Sequence, residues 1–186
     1  MKMKSTMKLT LASSLFLLTL SGCANKVATY SVSTENILSL KGLSKDNNGI
    51  NLGEFTDSAK GESKVMCRLA TPIGTPNGET FISYIKDALK KELLISEMYQ
   101  EKSKIKINMN LDYLYGSTTV GNAYWEFKVT VNSSNSKSFK VNSKYDYESS
   151  FTAYSACSEM QKSFVPAVQK LIKKIIQHNE FKNLIK

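Results

Sequence analysis

Residues 104–115, KIKINMNLDYLY, place Ile105, Ile107, Met109, Leu111, Tyr113 and Tyr115 at every second position, with polar side chains between them except for Leu114. Successive side chains of a strand point to opposite faces, so a period of two describes one apolar and one polar face. The pattern recurs twice downstream. In residues 124–132 the apolar set is Trp125, Phe127, Val129 and Val131, and in residues 138–147 it is Phe139, Val141, Tyr145 and Tyr147. Residues 116–122 and 133–137 read as the joining loops. Three such strands predict an antiparallel sheet covered on one side and open on the other.

Segments on either side of this block supply the cover. Upstream, Phe81, Ile82, Ile85, Ala88, Leu89, Leu93 and Leu94 recur at helical spacing with Lys86, Asp87, Lys90, Lys91 and Glu92 between them, which predicts an amphipathic helix from Asn77 or Thr80 to Ser96. Downstream, Phe164, Val168, Leu171, Ile172, Ile175 and Ile176 form a second stripe in a helical region that begins at Ala153. Pro166 must open this helix in its first turn or interrupt a longer one begun near Ser155. Residues 50–55 (INLGEF) and 64–70 (KVMCRLA) read as short strands, and residues 71–78 (TPIGTPNG) as a run of turns. The expected fold of residues 49–186 is therefore α+β, a two-layer sandwich of an antiparallel sheet with two amphipathic helices on one face.

Residues 24–48 hold many Ser, Thr, Asn and Lys side chains with scattered apolar ones and no sustained period, so residues 23–48 read as a flexible tether. Within it, the Ile37-Leu38-Ser39-Leu40 patch is the part able to dock on the domain, as a short strand. Before it, residues 1–8 carry three lysines and no acid, and residues 9–20 (LTLASSLFLLTL) are mostly apolar. Residues 1–22 thus form a secretory signal, whose apolar run is shorter than the ~20 residues of a spanning helix. The signal ends in Leu20-Ser21-Gly22-Cys23, which resembles the lipobox of bacterial lipoproteins. That resemblance implies a diacylglycerol on the Cys23 thiol, cleavage just before it and acylation of the new amino group. The membrane then becomes a partner through the N-terminal lipid. Ala24 stands where aspartate commonly retains such proteins at the inner membrane, so the resemblance implies an outer-membrane location with the domain facing the periplasm.

If Cys23 is consumed by lipid, Cys67 and Cys157 remain as a pair in an oxidising compartment and are expected to be bonded. Two buried thiols or a metal site are the alternatives. His178 is the single histidine and there is no C-x-x-C, so a zinc site is disfavoured and no metal or cofactor is expected. The formal charge of +9 falls to +6 when the three signal lysines leave, and the remaining lysines are dispersed without Arg-rich clusters. Nucleic acid is a poor partner for such a chain.

Chemistry is hard to build from these residues. His178 follows the second helical stripe and reads as a helix-end residue, which leaves no Ser-His-Asp arrangement. The Gly74–Gly78 turn lacks the lysine and the glycine spacing of a phosphate loop. Asp112, Glu126, Asp146 and Glu148 fall on the polar parity of the strands, where lysines are expected to pair with them across the sheet. Among the aromatic residues, Tyr113, Tyr115, Trp125, Tyr145 and Tyr147 share parity with the core and are expected to pack. Tyr124 has the opposite parity and, with Glu126 and Lys128, is the candidate binding set.

The chain also resembles a group of small, largely uncharacterised proteobacterial lipoproteins. The residues that carry the likeness are Cys67-Arg68, the run from Pro76 to Leu93, Trp125, Ala156-Cys157 and Pro166-Ala167-Val168-Gln169. The layout is similar to that of YajG-type lipoproteins and, more remotely, to the amino-terminal domain of TolB and the lipoprotein activators of penicillin-binding proteins. This implies the fold and the compartment, and it transfers no catalytic residue. The expected function is a lipid-anchored envelope accessory that binds a protein or glycan partner without catalysis. The rivals are an envelope glycan hydrolase using the acidic residues of the open face and an auxiliary lipoprotein of an envelope transport system.

Overall fold

The computed structural model describes residues 25–44, 49–58 and 61–186. The signal and Cys23 lie outside the described residues. The elements run β1 (Asn25–Lys26), α1 (Thr34–Ser44), β2 (Asn51–Asp57), β3 (Lys64–Cys67), β4 (Thr71–Gly74), α2 (Phe81–Ile95), β5 (Lys106–Thr119), β6 (Asn122–Ser133), β7 (Ser138–Tyr147), α3 (Ala153–Ile176) and α4 (Phe181–Leu184). They form an α+β sandwich with a four-stranded sheet of order β2-β5-β6-β7 and a smaller sheet of order β1-β4-β3.

Alternation in the three long strands has the consequence read from it. Ile107, Met109, Leu111, Trp125, Phe127, Val129, Val131, Phe139 and Val141 are buried and share one core with the apolar stripes of α2 and α3. Phe164 of α3 lies at the centre, its ring 4.9 Å from Trp125 and 5.3 Å from both Phe81 and Tyr84. Burying an indole is favourable only if its N–H is satisfied. Trp125 Nε1–H donates to Met160 O and Ser163 Oγ, both at 3.1 Å, which ties β6 to α3. The Thr80 and Thr152 hydroxyls each accept from the backbone N–H three residues on, so α2 and α3 both begin at side-chain caps. Pro166 lies inside α3, which is the longer of the two helices allowed for it.

Four expectations need correction. Residues 25–44 are not a tether but part of the domain, with Val27, Tyr30, Asn36 and Leu40 buried, so the fold begins at least as early as Asn25. The Ile37–Leu40 patch is helical and not a strand. Residues 71–74 form β4, because a three-residue turn after Cys67 lets them pair back on β3 and also accept β1 in parallel. The main sheet is mixed, since β2 pairs in parallel with β5. A connection that includes a helix returns the chain in the same direction, whereas the short turns joining β5, β6 and β7 reverse it.

Candidate functional site

The open face of the main sheet carries a line of three tyrosines that sequence parity would not assemble. The β5–β6 register shifts between Leu111 and Tyr113, where a bulge at Asp112 inserts one residue. One extra residue exchanges the two faces of everything that follows. Tyr113 and Tyr115 therefore leave the core side and stand 41% and 44% exposed, while Leu114 and Gly116 turn inward. This corrects the expectation that both rings pack. The inward turn also explains Gly116, where a Cβ would meet Met160 Cε at 2.3 Å.

Across the ladder Tyr113 faces Lys128, Tyr115 faces Glu126 and Ser117 faces Tyr124. Tyr113 and Tyr115 stack with centroids 6.2 Å apart, and Tyr124 continues the line 6.0 Å from Tyr115. Lys128 Nζ lies 4.9 Å over the Tyr113 ring and 3.7 Å from Glu126, and Lys144 Nζ lies 4.1 Å over the Tyr124 ring and 3.2 Å from Asp146. The candidate set Tyr124, Glu126 and Lys128 thus falls in one place, enlarged by Tyr113, Tyr115, Lys144 and Asp146. Each lysine holds a ring face and a carboxylate together, which limits the freedom of the rings before anything binds. Tyr145 and Tyr147 face the helix side as expected, with the Tyr147 O–H donating to Ser117 O at 2.8 Å.

The four carboxylates do not converge in a shielded cleft. Asp112 accepts from Asn110 Nδ2 (2.5 Å) and Thr130 Oγ1 (2.7 Å) on the exposed surface. Asp146 and Glu148 share a shallow depression with Gly121 and Asn122, but both are exposed and Asp146 is ion-paired. A glycosidase needs two carboxyl groups flanking the scissile bond in a shielded cleft, and this depression is open. His178 lies flat on Phe139 at 4.1 Å, just beyond the end of α3, with its Nδ1 accepting from Glu180 N. Among the described residues no group of three or more His, Cys, Asp or Glu side chains is placed to hold a metal ion.

Cys67 and Cys157 form a disulfide, with Cα atoms 5.8 Å apart, that fastens β3 to the second turn of α3. Among the described residues no helix is long and apolar enough to cross a membrane. No protein-family model matches the chain, and no curated protein matches it.

Proposed function

We propose that the chain is a lipid-anchored protein of the bacterial cell envelope that binds a protein or glycan partner without acting on it chemically, and that the tyrosine ladder is its binding surface. The observation that carries this reading is the line of three rings, Tyr113 and Tyr115 exposed and Tyr124 half-buried, on an open, ion-paired sheet face. Tyrosine offers a large, stiff, amphipathic contact at small entropic cost. Its ring face suits the apolar side of a sugar or a peptide side chain, and its hydroxyl supplies polar contacts. The anchor rests on the lipobox-like Leu20–Cys23, and the outer-membrane location rests on Ala24. A secretory signal and a disulfide both fit an oxidising compartment.

Crosslinking in intact cells tests the surface. Combining Tyr113→Ala, Tyr115→Ala and Tyr124→Ala should abolish the adducts formed by the wild type, each ring contributing about 0.5–1.5 kcal/mol to binding, and should leave thermal stability nearly unchanged. An unchanged adduct pattern from a folded triple variant would remove the ladder from the proposal. Cleavage of purified envelope glycan by the wild type, lost in Asp146→Asn or Glu148→Gln, would replace binding with hydrolysis.

A further inference from the structure

Leu69, Phe151 and Tyr154 are the most exposed large apolar residues described, at 94%, 86% and 87%. They come from three different segments: the β3–β4 turn, the β7–α3 connection and the first turn of α3. Single exposed apolar residues are ordinary, but these three are gathered and fixed. The disulfide joins Cys67, two residues before Leu69, to Cys157, three residues after Tyr154 on the same side of the helix. Arg68 Nη1 donates to Phe151 O at 2.8 Å, and Arg68 Nη2 donates to Ser150 O. The turn that presents Leu69 is itself costly, because Arg68 and Leu69 have φ of 49° and 59° where glycine or asparagine would be at ease. Strain held around a protruding leucine points to a use for that side chain.

The start of the described chain lies at the same end of the molecule. β1 runs parallel to β4 with Asn25 opposite Ile73, so its first residue lies toward Thr71 and the Leu69 turn. Asn25 also lines a depression with Thr71, Ala153, Tyr154 and Cys157. Cys23 precedes Asn25 by two residues, a reach of at most ~7 Å. An acyl group on Cys23 therefore brings the bilayer to this end of the domain.

Resting on the lipid anchor proposed above, we infer that Leu69, Phe151 and Tyr154 insert into the surface of the bilayer that holds the anchor. The domain then lies on the membrane in one orientation instead of swinging above it. A leucine and a phenylalanine at the tips suit the acyl boundary, and a tyrosine suits the headgroup level. Arg68, within the Leu69 turn itself, adds positive charge toward anionic headgroups.

The test uses the full-length lipidated protein in vesicles of phosphatidylethanolamine and phosphatidylglycerol whose acyl chains carry bromine, a quencher of tryptophan fluorescence. Trp125 is wholly buried and provides the unquenched background. Leu69→Trp, Phe151→Trp and Tyr154→Trp report from the patch, and Leu94→Trp reports from the exposed end of α2 at the opposite end of the sheet. The last two patch variants exchange one aromatic residue for another and avoid the strained turn. Quenching several-fold stronger at the three patch positions than at Leu94 is expected. Equal quenching at all four, with acylation of Cys23 verified by mass, overturns the insertion and leaves the anchor standing. A chain without acyl groups on Cys23 overturns both. Protection of the patch in a dimer of stable mass would assign the face to a second copy and overturn the bilayer.

Discussion

Glu92 is the residue on which the amino-terminal segment depends. It is wholly buried on α2, and its Oε1 accepts from the Tyr30 O–H (2.5 Å), the Ser33 N–H (2.9 Å) and Asn36 Nδ2 (3.4 Å). A buried carboxylate is tolerated when such donors surround it, and removing it strands all of them. Glu92→Ala should cost about 3–5 kcal/mol in urea unfolding and should strip hydrogen-exchange protection from residues 25–44, whereas Glu92→Gln, which keeps an acceptor, should cost less than half as much. A loss under about 1 kcal/mol from the alanine would mean that the segment is held by apolar contacts instead. Helical spacing assigned Glu92 to the solvent face among lysines, since nothing in a local pattern announces donors that arrive from sixty residues upstream. The outward turn of Tyr113 and Tyr115 is hidden for a related reason: in Tyr113-Leu114-Tyr115-Gly116, just after the bulge, neither face carries a charged or amide side chain, so the exchange of faces leaves no mark in the alternation.

At the scale of elements, strong periodicity was legible and weak periodicity was not. β5, β6, β7, α2 and α3 follow from it, and Tyr124, Glu126 and Lys128 of the candidate site follow from the polar parity of β6. β1 and α1 are too short and too mixed in composition to carry a period, and they are defined by what they touch: Lys26 Nζ donates to Pro76 O at 2.8 Å, and Asn36 Nδ2 donates to Gln169 O at 3.1 Å. The disulfide couples β3 to the start of α3. Its 90-residue separation corresponds to about 4–5 kcal/mol of loop-closure stabilisation. Cys67→Ser and Cys157→Ser should therefore lower Tm equally, and the double variant should be no worse than either single, because each single already loses the whole bond. Losses that add would show that the two sulfurs stabilise the fold separately. Pro166 donates no hydrogen bond to the turn before it, so without the crosslink the segment of α3 preceding it should open first in hydrogen exchange.

The whole molecule carries a signature in alkali. Burial, joined at Tyr30 by the hydrogen bond and charge of Glu92, pushes the phenols of Tyr30, Tyr84 and Tyr147 above the ordinary value of 10.0. A group whose pKa is raised by folding contributes its full stability below the unfolded pKa and loses it as pH climbs toward the folded one. Stability should accordingly hold to about pH 10 and then fall, by up to about 1.4 kcal/mol per pH unit for each phenol that the unfolded chain ionises. Urea midpoints measured from pH 8 to 11 check this, and Tyr30→Phe should flatten the fall. A midpoint that stays level above pH 10 would refute it.

The seating of the amino-terminal segment also orders events in time. Asn36 Nδ2 donates to Gln169 O across 133 positions of the chain, and Gln169 Nε2 reaches Ser31 O across 138. A ribosome delivering about 5–20 residues each second makes residues 31–36 roughly 7–27 s before Gln169 exists. The first part of the domain to be synthesised is thus among the last that can settle. Glu92 and its donors all precede Gln169, so their cluster can be only partly enclosed until α3 is made, and the nascent chain stays open enough to be threaded.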